Sequence, residues 1–151
     1  MIEICEVGPR DGLQNEETCL SVADRAEFIR RLQDGGIKKI EAVSFVNPKV
    51  VPQMANAEEV LAAISRKKGV HYAGLVLSPG GMKRALTCEL DGIHLVLAAS
   101  TTFNLKNVRR TTEESIEELL PLVDIAKGKG RQVTLTIGNA FGCPFEGDIP
   151  F

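Results

Sequence analysis

The 151-residue sequence predicts an α/β fold on a parallel sheet, a partial (β/α)8 TIM barrel of about five strands and four helices. Short apolar, β-branched runs alternate along the chain with stretches of helical period. That alternation calls for crossover connections, and hence for parallel strands joined with right-handed topology. The first strand also runs straight into a Gly- and Pro-rich turn carrying Arg10 and Asp11 side by side, and parallel α/β folds keep their chemistry at that end of a strand. The turn, VGPRDGLQNE, has Gly8 and Gly12 but no G-x-G-x-x-G, which weakens the competing open, dinucleotide-binding sheet. A barrel takes about 250 residues, so the expectation is one domain, residues 1–151, forming the N-terminal portion of a barrel incomplete at its C-terminus.

The elements follow in order. Residues 2–7 read as the first strand. Ser21 and Asp24 open a helix with apolar positions at Ala23, Ala26, Ile29 and Leu32, and Gly35 and Gly36 close it. Residues 37–45 return to strand character and carry Glu41 and Ser44 toward a loop with Pro48 and Pro52. A second helix is predicted over 57–67, capped by Asn56 with Glu59 as its capping-box partner. Residues 70–77 form the third strand, which Ser78-Pro79-Gly80-Gly81 turns into a short helix ending near Cys88. Residues 92–99 are strongly apolar and form the fourth strand, followed by a loop that contains Asn107. Thr112 then opens a helix with Glu113 and Glu114 in its first turn and Lys127 and Lys129 at its end, charges that suit the helix dipole. Pro121 falls inside that helix and is expected to kink it. Residues 133–137 form the last strand, and a loop over 142–151 follows.

Composition narrows the function classes. With 44% hydrophobic and 25% charged residues, the chain reads as a globular domain with a real core, not as a membrane protein or a disordered tail. A net charge of -2 gives no general attraction to nucleic acid or to a membrane surface. Cys5, Cys19, Cys88 and Cys143 stand far apart with no CxxC pair, so neither a zinc knuckle nor a secreted disulfide framework is indicated, and a reducing cytoplasmic compartment is expected. The N-terminus shows no apolar or Arg-rich leader pattern.

Arg10 offers a fixed fork of donors to a developing oxyanion, and Asp11 a hard oxygen ligand to a divalent cation. On these residues alone the alternative stands that both are solvated turn residues in a local salt bridge. Glu41 has a corresponding alternative as a surface acid pairing with Lys38 or Lys39. Its apolar strand argues otherwise, because an unpaired charge there is costly.

Three stretches carry a resemblance to a known family: VGPRDGLQNE, then IEAVSFVNPKVVPQMANAEEV over 40–60, and AFGCPFEG over 140–147. Together they resemble hydroxymethylglutaryl-CoA lyase, of the metal-dependent lyase and synthase superfamily. Isopropylmalate synthases and oxovalerate aldolases share only a shorter RDG core. The resemblance implies cleavage of 3-hydroxy-3-methylglutaryl-CoA to acetyl-CoA and acetoacetate with Mg2+ or Mn2+. It implies Arg10 and Glu41 as the catalytic pair, with Glu41 orienting the Arg, and Asp11 as the metal ligand. Gln14 and Asn107 are implied to lie near the bound acyl-CoA substrate.

The family pattern completes its site with a His-x-His pair, a late Asn, an intervening Asp and a Cys on a Gly-rich loop, none of which this sequence contains. His71 and His94 are read as core or strand-end histidines at the rim away from the chemistry, with His94 pointing toward the barrel centre, though not as a ligand, as the lesser alternative. Cys143 is assigned to the earlier GCP segment of the pattern and read as a small buried or loop thiol. A half-barrel leaves strand edges unpaired, so the chain is expected to be either a truncated product of a longer gene or a fragment that closes by pairing with another copy, as a homo-oligomer. A catalytically silent half-barrel serving binding or assembly, and another lyase or aldolase of the superfamily, are the competing readings.

Overall fold

In the computed structural model, which describes residues 2–150, five parallel strands lie in the order β1-β2-β3-β4-β5. Met1 and Phe151, the ends of the expected domain, fall outside the described residues. The strands are β1 (Cys5–Glu6), β2 (Lys39–Ser44), β3 (His71–Val76), β4 (Gly92–Ala98) and β5 (Gln132–Gly138). Sequential neighbours pair throughout, so the sheet curves as the first part of a barrel does, in accord with the predicted fold class.

Four helices make the crossovers: α1 (Val22–Asp34), α2 (Ala57–Ala63), α3 (Pro79–Ala85) and α5 (Thr112–Gly128). A fifth, α4 (Thr101–Val108), occupies the segment expected to be loop. Ser100 caps it by accepting from the Phe103 N–H at 3.0 Å, and Arg109 ends it in the left-handed region at φ 59°. The sequence signal is weak because the run TTFNLKN offers two β-branched residues at its start and no clean apolar stripe.

The core lies between the sheet's outer face and the crossover helices. Ile40, Tyr72, Ile93 and Leu95 on the strands meet Ile29, Val60, Met82, Leu119 and Leu122 on the helices. Burying each such side chain contributes about 1.5–3 kcal/mol. Gly81 lets α3 close onto β2: a Cβ there would sit 2.8 Å from the Phe45 carbonyl oxygen.

Two helix ends follow the sequence and one departs from it. Ser21 Oγ accepts from the Asp24 N–H at 3.1 Å, and Gly36 at φ +93° turns the chain after α1. Thr111 and Glu114 form a reciprocal capping box on α5. Asn56, by contrast, adopts φ 56° and makes no side-chain cap bond, and α2 stops at Ala63 instead of reaching residue 67. The physical reason is tertiary: Arg66 is drawn to the Glu89 carbonyl at 2.6 Å and to Asp91 at 2.7 Å, which takes the chain out of helical register. The first strand likewise pairs over only two residues, Cys5 with Lys39 and Glu6 with Ile40, because the chain is already turning at Val7.

Candidate active site

The site starts from one carbonyl. Val7 O accepts from the N–H groups of Arg10, Asp11 and Gly12 at 3.0, 2.7 and 3.4 Å, winding Gly8–Gly12 into a single π-type turn. Such turns are uncommon and concentrate at functional sites. Pro9 is buried and fixes the entry of the turn, and Gly8 N–H donates to Glu6 Oε1 at 2.6 Å. Arg10 and Asp11 are therefore presented at the C-terminal end of β1, the rim where a barrel keeps its chemistry.

Arg10 is held on both sides. Its Nε donates to Glu41 Oε1, and its Nη1 donates to Asp11 Oδ1 at 2.6 Å. The exposures separate the two carboxylates: the Glu41 side chain is 3% exposed and the Asp11 side chain 54%. Glu41 is thus an interior anchor for the guanidinium, whereas Asp11 keeps its second oxygen free at the pocket mouth. The surface alternative for Glu41 does not hold, since Lys39 pairs with Glu3 at 3.0 Å. Burial pushes the Glu41 carboxyl up, but the hydrogen bond from His94 and the Arg10 charge outweigh it and hold it below the usual glutamate range.

A pocket of about 490 Å³ opens beside this pair, and Arg10, Asp11, Gln14, Asn107, His94 and Thr136 all line it. Val50, Val51, Leu75, Leu77 and Val96 give it an apolar lining as well. Gln14 Oε1 is buried without a hydrogen-bond partner among the described residues, so it is an acceptor open to a donor or a cation. Asn107 reaches the pocket from α4 and not from a loop, which corrects the sequence expectation.

His94 needs a larger correction. It stands on β4 with its ring facing the pocket, Nδ1 bonded to Glu41 Oε2 and Nε2 lying 2.8 Å from Thr136 Oγ1. The period of two explains this: Ile93, Leu95 and Leu97 face the helices and are buried, so His94 and Val96 must face inward. Reading the strand as uniformly apolar hid that alternation. His71 does lie at the opposite rim, beside Asp91 and Arg131 in a depression of about 470 Å³.

Cys143 is buried, with Sγ 2.9 Å from Ser100 Oγ and accepting from the Phe145 N–H at 3.4 Å. Burial raises its thiol, and the Ser100 hydroxyl with the backbone N–H groups of Phe145 and Glu146 brings it below the ordinary value, against the opposing charge of the Glu146 carboxylate. It packs the loop after β5 onto the start of α4, away from the pocket lining.

With this geometry in place, the sequence matches the HMGL-like family over residues 1–150. The chain belongs to that family. A 3-hydroxy-3-isohexenylglutaryl-CoA/hydroxymethylglutaryl-CoA lyase of Pseudomonas aeruginosa is 38% identical to this HMGL-like chain, over 98% of the chain and 49% of the relative. An (R)-citramalyl-CoA lyase of Chloroflexus aurantiacus is 40% identical over 98% of the chain and 50% of its own length. A solved HMG-CoA lyase from Acinetobacter baumannii, in complex with coenzyme A and 3-methylmalate, superposes with a TM-score of 0.94 at 39% identity, covering 99% of this chain and 49% of that one. The HMGL-like chain spans about half the length of the curated relatives it matches, and those relatives are acyl-CoA lyases. Among the described residues no helix is long and apolar enough to cross a membrane.

Proposed function

We propose that this chain supplies the Arg10, Asp11 and Glu41 part of a lyase that cleaves 3-hydroxy-3-methylglutaryl-CoA to acetyl-CoA and acetoacetate, acting in the cytoplasm. The observation that carries the reading is the buried Glu41 carboxylate anchoring Arg10 at the C-terminal rim, against a pocket with both polar and apolar lining. In the cleavage the 3-hydroxyl gives up its proton to a base that the rest of the lyase supplies, C3 becomes the ketone carbon of acetoacetate as the C2–C3 bond breaks, and the electron pair of that bond passes into the thioester as an enolate, which takes up a proton at C2 to give acetyl-CoA. Arg10 stabilises that charge by donating to the thioester oxygen, and Glu41 aims the guanidinium while taking up none of the negative charge itself. Arg stays charged at every working pH, so no tuned proton is needed for this part. Gln14 offers its free acceptor to a substrate hydroxyl, and Asn107 marks the side from which the acyl-CoA enters.

The residues fit part of a shell for a hard cation. Asp11 has an oxygen free at the pocket mouth and Gln14 an unpartnered one, whereas no group of three His, Cys, Asp or Glu gathers among the described residues. Asp11 would hold Mg2+ or Mn2+ together with ligands from outside this set. A bound cation would supply Lewis-acid stabilisation of the negative charge that develops on the substrate.

The test is metal-dependent release of acetoacetate by the purified chain, alone and with the remainder of a related lyase supplied in trans. Arg10→Gln is expected to lower turnover about 10²–10³-fold while leaving the far-UV circular dichroism intact. Retained turnover would remove Arg10 from the mechanism. A second substrate is favoured by the comparable identity to the citramalyl-CoA lyase, so (R)-citramalyl-CoA belongs in the same assay. Faster cleavage of it would reassign the substrate and leave the Arg10 chemistry standing.

A further inference from the structure

His94 is the polar side chain in the pocket that the proposed reaction does not yet use. Both of its ring nitrogens are engaged, Nδ1 with Glu41 Oε2 and Nε2 with Thr136 Oγ1 at 2.8 Å. A histidine acting as general base or metal ligand needs a nitrogen free to face the substrate or the ion, and His94 has none to offer. The ionised Glu41 can only accept, so Nδ1 donates to it, while Nε2 pairs with the Thr136 hydroxyl.

Arg10 pairs with Glu41 through Oε1 and is shared with Asp11, and His94 meets the other Glu41 oxygen. What it adds is direction. The terminal torsion of a glutamate is soft, and a single bond from Arg10 Nε to Oε1 leaves the carboxylate plane free to turn. A second bond on Oε2 from the other side fixes that plane. It also satisfies an oxygen that would otherwise be buried without a partner. The chain of contacts crosses the inner face of the sheet, from Thr136 on β5 through His94 on β4 and Glu41 on β2 to Arg10 in the turn after β1. Arg10 Nη2, the remaining donor of the fork, makes no hydrogen bond among the described residues.

We propose that His94, braced by Thr136, is a positioning residue that fixes the Glu41 carboxylate and so aims the free edge of the Arg10 guanidinium into the pocket. The inference deepens the reading of the site as an enolate-stabilising one, but its test does not depend on turnover.

The experiment uses the ¹⁵N-labelled chain and reads two signals by NMR: the His94 ring nitrogens and the exchange rate of the Arg10 Nε–H. The expected result is a ring protonated at Nδ1, with a slowly exchanging Arg10 Nε–H. His94→Ala is expected to speed that exchange roughly tenfold or more, with the β4 amide resonances in place. His94→Asn, which keeps a donor near the Nδ1 position, restores part of the protection, and Thr136→Val gives an intermediate loss. Should His94→Ala not fold, His94→Asn and Thr136→Val carry the same readout. An Arg10 exchange rate unchanged across the folded variants, or a His94 ring protonated only at Nε2, overturns the proposal. Failure to release acetoacetate would count against the lyase reading and leave this result as it is.

Discussion

A buried carboxylate with two donors is a pH-dependent brace, and Glu41 is the residue where this matters. Its folded pKa lies below the ordinary value despite burial, because His94 and Arg10 favour the charged form. A group depressed on folding contributes stability that is fully present above its unfolded pKa and is lost as pH falls through the folded one. Acid unfolding followed by circular dichroism should therefore show a loss of stability below about pH 4 that Glu41→Gln lacks. The same variant is expected to cost about 1–3 kcal/mol at pH 7, since Arg10 loses its buried anionic partner and keeps only the exposed Asp11. Equal acid sensitivity in the two proteins would show that the carboxylate does not titrate in this way. At this scale the sequence was legible in the placement of three residues: Arg10, Asp11 and Glu41 gather at the rim where chain order put them. His94 was not, because a histidine in an apolar strand looks like core until its neighbours are assigned to opposite faces. Thr136 was invisible for the same reason, as a threonine in a β-branched run.

Elements were legible in proportion to how local their signals are. Helices α1 and α5 announce themselves through caps and charge placement that the chain carries within a few residues. Helix α4 escaped because its stability comes from a side chain whose partners are distant. Asn104 is buried, donates to the Arg110 and Thr111 carbonyls at 3.2 and 2.8 Å, and accepts from the Ala98 N–H at 3.1 Å. It thereby fastens the end of β4, helix α4 and the start of α5 together, and so sets where Asn107 stands in the pocket. Asn104→Ala strands several buried polar groups and is expected to cost about 2–3 kcal/mol. A urea titration would show a lower midpoint with an unchanged slope. Helix α2 erred in the other direction, since the capping pattern at Asn56 and Glu59 is real in sequence yet loses to the pull of Arg66 on Asp91.

Across the whole molecule, β1 and β5 each pair on one side only among the described residues. Leu135 and Ile137 sit opposite Leu95 and Leu97 in parallel register and share their helix-facing side, yet they are 50% and 54% exposed. Apolar strand residues left open in this way favour association, and the notable point is that both lie on the longer edge strand. The chain is expected to self-associate reversibly, with a sedimentation coefficient that rises with concentration. Leu135→Lys with Ile137→Lys should shift the population toward monomer, and a compact monomer for the unaltered chain at every concentration would exclude self-association.

The two-residue ladder of β1 has a consequence for how substitutions in this protein are read. So little backbone pairing holds the N-terminal segment that the guanidinium of Arg10, gripping Glu41 in the interior, is one of its main fastenings to the rest of the chain. Reactivity and local order are therefore vested in one side chain, and a variant that silences the first also loosens the second, exposing the leading residues to proteases before the remainder of the molecule has changed.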